Sequence, residues 1–191
     1  WVDGISNLAA AFLLYITLSP TRNLSTEKIK KEKNVIADSA YKDRTYVAFI
    51  LLTFIFAFCF FQMFTTIPVF FREKFNLSVF FIGVLMALNG IIISVFEMIT
   101  IFTLEGKRPS LHFISSGMLL VAVSFLLLNM PPMNVTFIAV TAMVFITFGE
   151  IFSMPFMNAW WIGRAQQNNR GQYAALYTVA WALAQAVGPF A

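Results

Sequence analysis

The chain has 191 residues, of which 59% are hydrophobic and only 12% are charged. Soluble domains carry about 25% charged residues, and a chain of this length could not bury so much apolar surface, so the composition excludes a water-soluble fold. The net charge of +4 does not indicate a nucleic-acid partner, because the basic residues lie in breaks between long apolar runs. A single cysteine, Cys59, and a single histidine, His112, exclude a disulfide framework, a His-based catalytic triad and a Cys/His zinc site, so no cofactor is expected.

Six apolar runs follow one another along the chain, and each approaches or exceeds the roughly 20 residues that a membrane-spanning helix needs. They cover residues 2–18, 46–71, 79–104, 111–130, 135–162 and 173–191. The strands of a membrane barrel alternate polar and apolar residues, and these runs do not. Only helices satisfy their own backbone over such continuous apolar stretches. We therefore predict an all-α fold, a polytopic transmembrane helix bundle with about six spans.

The basic residues predict the orientation of these spans. Of the 13 Lys and Arg, only Arg72 and Lys74 lie outside the three alternate breaks 19–45, 105–110 and 163–172. Cytoplasmic loops retain Lys and Arg, so these three breaks are predicted to be cytoplasmic. The longest of them, partly helical near residues 26–40, suits either a solvated linker or attraction to anionic lipid headgroups.

Two carboxyl side chains stand out deep within predicted spans, Glu97 in the third run and Glu150 in the fifth. Ionisable groups at bilayer depth are costly and usually face a cavity or a transport pathway. Neither carboxyl has a Lys or Arg partner within the spans, and burial without a cation favours the neutral form of a carboxyl. Both are therefore candidate proton-coupling groups. The alternative is a structural carboxyl that binds backbone or hydroxyl groups between helices.

Other polar and aromatic residues in the spans are candidates for lining a substrate cavity. Two of them are spaced four residues apart in the second run, and three more follow one face of the sixth run together with Gly188. The same face is equally typical of helix packing through small residues. Pro68 and Pro155 lie within spans, where proline kinks a helix. The candidate cavity residues are Gln62, Thr66, Asn89, Tyr177, Trp181 and Gln185.

Several segments together resemble the major facilitator superfamily of secondary transporters. Residues 169–173 are similar to the Arg-Gly-Arg-x-x-Gly segment that opens its helix eleven, and residues 105–108 fall where the family has a basic loop between helices eight and nine, although the aspartate is missing. Gly149-Glu150, with a proline five residues on, is similar to helix ten of proton-coupled members. Residues 186–189 resemble the Gly-Pro element of drug:proton antiporters, which in that family belongs to helix five.

The resemblance implies a domain organisation. The linker 19–45 would join the two six-helix halves of such a transporter, with residues 1–18 ending the preceding half. Residues 46–191 would supply five spans of the C-terminal half, so that the runs correspond to helices six to eleven and the chain is an internal fragment whose last helix is missing. The residues implied in gating or loop motifs are Lys107, Arg108, Arg170 and Gly171.

The resemblance implies secondary active transport by alternating access rather than an enzyme. We expect proton-coupled export of drug-like or amphipathic metabolites, with a small-molecule substrate, protons, membrane lipid and the missing N-terminal half as partners. The short loops favour a bacterial inner membrane. Three alternatives remain open: a proton-coupled symporter of peptides or other nutrients, a membrane-embedded lipid-modifying enzyme, and a membrane scaffold or sensor that does not transport. The enzyme would need clustered His, Asp or Ser at one depth, and the apolar runs show no such cluster.

Overall fold

The computed structural model describes residues 39–131 and 134–188. The all-α prediction is confirmed, since this part of the chain contains helices and no strand. The first predicted run, the Lys-rich part of the linker and residues 189–191 lie outside the described residues. The helices are α1 (Arg44–Gln62), α2 (Thr66–Glu73), α3 (Val79–Leu104), α4 (Ser110–Leu128), α5 (Val135–Arg164) and α6 (Arg170–Val187).

Four of the described helices, α1, α3, α4 and α5, are long and apolar enough to cross a membrane, with mean hydropathies between 2.0 and 2.5. The outward surface of α3 suits contact with lipid rather than water. Two of its side chains, Phe102 and Phe80, are 91% and 82% exposed. The sixth predicted run forms α6, but this helix falls short of the four in apolar character because it carries Arg170, Gln172 and Gln185.

The second predicted run, residues 46–71, is not a single helix. Helix α1 ends at Gln62, and three i→i+3 backbone hydrogen bonds close a turn over residues 60–65. Pro68 accounts for the break, because in a continuous helix its ring would meet the carbonyl of Phe64. In the first turn of α2 the missing N–H of Pro68 costs no helical hydrogen bond. The hydroxyl of Thr65 donates to the carbonyl of Phe61 at 3.1 Å and satisfies one group at the end of α1.

Helices α4 and α5 pack most closely, through two glycines that face each other. A Cβ on Gly117 would lie 2.5 Å from the carbonyl oxygen of Gly149 and would collide with the hydroxyl of Ser153. A Cβ on Gly149 would lie 2.6 Å from a methyl carbon of Val121. Neighbouring helix residues point about 100° apart, so a Gly149 that faces α4 turns Glu150 toward a different neighbour, helix α3.

The turns at residues 39–43, 105–109 and 165–169 lie at one end of the bundle, which we call the basic end. Asp43 before α1 pairs with Arg164 at the end of α5, and Gln172 of α6 accepts a hydrogen bond from the backbone of Ala40. Glu105 and Arg108 share a small cavity with Pro155 and Ala159 of α5. The described parts of the three basic breaks, residues 39–45, 105–110 and 163–172, therefore lie at the same end of the bundle, as a shared membrane side requires. That this side is cytoplasmic stays a prediction.

Candidate functional site

Three buried polar side chains meet between α3 and α5, and we call Asn89, Thr147 and Glu150 the polar triad. The amide Nδ2 of Asn89 donates to Thr147 Oγ1 at 3.0 Å and to Glu150 Oε2 at 3.4 Å. The hydroxyl of Thr147 donates in turn to the carbonyl of Met143 at 2.7 Å. Their exposed fractions are 6%, 0% and 3%. The triad is thus a directed hydrogen-bond chain inside an otherwise apolar interface.

The two carboxyl oxygens of Glu150 have different surroundings. Oε2 accepts from Asn89, whereas Oε1 is buried and has no hydrogen-bond partner among the described residues. Leaving a buried polar atom unpaired costs about 1–3 kcal/mol, and such atoms are rare in native structures. An oxygen of this kind can carry a proton or receive a hydrogen bond from a ligand that enters the bundle.

Glu97, the second carboxyl expected from the sequence, lies on α3 two turns beyond Asn89 and is partly buried. Its side chain makes no hydrogen bond to any residue that the structure describes. The structure therefore brings the two carboxyls to facing helices, but only Glu150 belongs to the polar triad.

Two of the predicted cavity residues, Tyr177 and Trp181, lie in the interface between α6 and α1. The ring of Trp181 lies 5.7 Å from Phe60, 6.0 Å from Phe61 and 6.4 Å from Phe56. Its indole Nε1 is buried and finds no hydrogen-bond partner within residues 39–131 and 134–188. Aromatic surface is therefore present in this half of the bundle, separate from the polar triad.

The remaining predicted cavity residues are not brought together. Gln62 and Thr66 lie on either side of the break between α1 and α2, so they are not neighbours on one helix face as the sequence spacing predicted. Thr66 is exposed, and so is Gln185 on α6. Of the six candidates, only Asn89 joins Glu150, and only Tyr177 and Trp181 contact each other, with ring centroids 6.3 Å apart.

A cluster that the sequence analysis missed ties three helices together at the basic end. Asp43 accepts from Arg164 Nε at 2.6 Å and from Arg164 Nη2 at 2.9 Å. The hydroxyl of Tyr173 and the backbone N–H of Tyr46 donate to the same carboxylate at 2.9 and 3.1 Å. We call these four residues the ion cluster. The signal is present in the sequence, because an Asp just before an apolar run is a helix N-cap signal, but the charge pattern assigns Asp43 to the linker.

Aromatic contacts reinforce the ion cluster. The hydroxyl of Tyr46 donates to the backbone carbonyl of Tyr173 at 2.6 Å, and the two rings lie 4.3 Å apart. The guanidinium of Arg164 lies 5.4 Å from the ring centre of Trp160, within cation–π range. The hydrogen bonds that Arg164 donates to Asp43 are the main reason that the pKa of this carboxyl is held well below its usual range. Partial burial acts in the opposite direction and raises the pKa.

Substitutions at Asp43 separate the two roles of this carboxylate. Asn is as good an N-cap as Asp, so Asp43→Asn removes only the ion pair and is expected to cost about 1 kcal/mol, since water screens a pair whose arginine is 37% exposed. Asp43→Ala also removes the cap and is expected to cost about 2 kcal/mol. Thermal unfolding of the purified protein measures both. Equal losses would show that the helix cap contributes nothing, and no loss in Asp43→Asn would show that the ion pair contributes nothing.

The same ion pair predicts a pH dependence of stability. Because the folded protein depresses the pKa of Asp43, the stabilisation is present above the ordinary aspartate value of about 4 and is lost as the pH falls below it. The difference in stability between wild type and Asp43→Asn should therefore be constant near neutral pH and shrink below about pH 4. A difference that grows on acidification would contradict the assignment.

The family model of the Major Facilitator Superfamily matches residues 1–189 of the chain. The chain belongs to this superfamily. It is accordingly a multi-pass membrane protein of a secondary transporter family rather than an enzyme family. Comparison with curated proteins and with solved structures found no significant match.

In this superfamily member, the loop residues expected from the resemblance lie at the basic end. Lys107 and Arg108 are exposed in the turn between α3 and α4, where Gly106 has a φ of +77°, a conformation that favours glycine. Arg108 also lines a cavity of about 180 Å³ with Pro155 of α5. Arg170 opens α6, followed by Gly171, and both are exposed.

Proposed function

We propose that this superfamily transporter exports drug-like or amphipathic metabolites in exchange for protons, with Glu150 as the coupling group. The observation that carries the proposal is the polar triad. One oxygen of Glu150 is fixed by Asn89, and the other is buried with no partner among the described residues. A carboxyl held in this way can exchange a proton without losing its position.

Alternating access explains how one proton could be exchanged for one substrate. In this mechanism the site opens to one side of the membrane at a time. A proton that binds Oε1 neutralises Glu150 and removes the negative charge that would hold a cationic ligand. Loss of the proton restores the charge, which Asn89 stabilises through its N–H donor. Proton and cation thus compete for one carboxyl, and this competition is what an antiporter requires.

The substrate class follows from charge and aromatic surface. Glu150 is the one charged side chain that is fully buried within the described residues, so this part of the protein offers a site for a cation and no buried cation for the carboxylate of a zwitterion. Tyr177 and Trp181 add aromatic surface for a flat apolar group. Amphipathic cations are therefore favoured over peptides, the substrates of the alternative symporter.

The proposal is tested by transport in proteoliposomes that contain the full-length protein. Ethidium serves as the amphipathic cation, and a pH gradient is imposed across the membrane. We expect ethidium to accumulate against its concentration gradient on the acidic side and the accumulation to collapse when an ionophore removes the pH gradient. Ethidium flux that is indifferent to the pH gradient would contradict proton coupling. Accumulation of a dipeptide on the alkaline side would instead favour the symporter.

A further inference from the structure

A polar cavity of about 690 Å³ lies at the basic end, between the beginnings of α1 and α6 and the end of α5. Its lining includes Lys42, Asp43, Arg44, Arg164 and Tyr173. The cavity is distinct from the polar triad, and the proposed transport function leaves it without a role. Its size falls in the range of small-molecule sites, about 300–1,000 Å³.

The charges of the cavity are not balanced. The one carboxylate in its lining, Asp43, is already neutralised by the two hydrogen bonds from Arg164 and a third from Tyr173. Lys42 and Arg44 are exposed on either side of it and form no ion pair within the part of the chain that the structure describes. The cavity therefore carries two uncompensated positive charges and suits an anion.

The helix ends strengthen this preference. The N-termini of α1 and α6 both lie at the cavity, and neither helix has an acidic residue in its first turn. A helix N-terminus carries a partial positive charge. At α1 the capping carboxylate of Asp43 compensates this charge in part, whereas at the start of α6 the basic side chain of Arg170 is unfavourably placed unless an anion is close. A bound phosphate would accept hydrogen bonds from the side chains and compensate the helix dipoles as well.

The position of the cavity indicates the source of the phosphate. Helix α1 is apolar enough to cross the membrane and begins at Arg44, beside the cavity. Trp160 and Trp161 lie within the last two turns of α5, and tryptophan pairs of this kind are typical of the headgroup region. The cavity is therefore at the depth where phospholipid phosphates lie.

We propose that this cavity binds the phosphate of an anionic phospholipid, with Lys42 and Arg44 as the donors. Basic pockets between membrane helices bind such headgroups, and each Lys or Arg near the surface contributes about 1 kcal/mol. The pair Lys42 and Arg44 should therefore favour phosphatidylglycerol over phosphatidylcholine. Arg164 stays paired with Asp43 and shapes the site without supplying its charge.

The test is native mass spectrometry of the full-length protein titrated with phosphatidylglycerol or phosphatidylcholine. Changing Lys42 and Arg44 together to Gln should weaken phosphatidylglycerol binding about 30-fold and leave phosphatidylcholine binding unchanged. The matched control changes Lys107 and Arg108 to Gln, which removes the same charge from the same end but outside this cavity. The control should retain wild-type affinity.

Three outcomes would overturn the proposal. Wild-type affinity in the Lys42/Arg44 variant would show that the cavity does not bind the lipid. An equal loss in the Lys107/Arg108 control would show general charge attraction rather than a site. Displacement of phosphatidylglycerol by an equal concentration of inorganic phosphate would assign the cavity to a soluble anion. A melting curve of each variant confirms that the protein remains folded.

Discussion

Glu150→Gln is expected to abolish gradient-driven transport while preserving the fold. Gln has the size of Glu and keeps an oxygen that can accept the hydrogen bond from Asn89, so the triad geometry should survive. It cannot bind and release a proton, so ethidium accumulation driven by the pH gradient should fall to the level of protein-free liposomes. Ethidium exchange without a gradient requires no change in protonation and should continue, but at a higher ethidium concentration, because the neutral Gln no longer attracts the cation. Proteoliposome flux measures both.

Glu97→Gln is the matched control for this prediction, since it makes the same chemical change on the facing helix. Glu97 is less buried than Glu150 and forms no hydrogen bond within the described residues. We expect this variant to keep most of the gradient-driven flux. If Glu150→Gln keeps its flux and Glu97→Gln loses it, the coupling role belongs to Glu97, and the polar triad is not the coupling site.

Gly117→Ala is expected to destabilise the bundle strongly, although it adds only one methyl group. The new Cβ would lie 2.5 Å from the carbonyl oxygen of Gly149 and against the hydroxyl of Ser153. A backbone oxygen cannot rotate away as a flexible side chain can, so α4 would have to move away from α5. Overpacking of this kind costs about 3 kcal/mol. Thermal unfolding of the purified protein measures the loss.

Gly83→Ala provides the control for this substitution, because a Cβ on Gly83 meets no atom within 4 Å. Alanine is the better helix former, so this variant should be neutral or more stable by up to about 1 kcal/mol. If both variants unfold at the same temperature, the close approach of α4 and α5 is not a determinant of stability. Gly149→Ala tests the same contact from the other side, where the clash is with Val121.

Much of the fold could be predicted from the sequence, because apolar run length and the breaks between runs are local properties. The runs at 79–104, 111–130 and 135–162 become α3, α4 and α5 with ends that agree to within two residues. The run at 46–71 does not form one helix as predicted, and the reason is local as well. Its pattern predicts a kink at Pro68, but the proline ends the helix upstream, at Gln62, instead of bending it.

The candidate site was harder to predict, because it depends on which helix faces point at each other. The sequence assigns Asn89 to the substrate cavity, yet this residue binds Glu150 from a position 61 residues away in the chain. That contact requires the spacing of α3 and α5, which no local pattern encodes. The glycine contact between Gly117 and Gly149 and the ion pair of Asp43 with Arg164 also join distant positions. The roles proposed for these residues remain predictions.

The most direct test of Glu150 as the coupling group is a proton count on ligand binding. The full-length protein in weakly buffered detergent solution is titrated with ethidium while the pH is recorded. Competition between cation and proton for one carboxyl predicts release of about one proton per ethidium bound by wild type and by Glu97→Gln, and none by Glu150→Gln. Undiminished proton release by a Glu150→Gln variant that still binds ethidium would contradict the coupling role of Glu150.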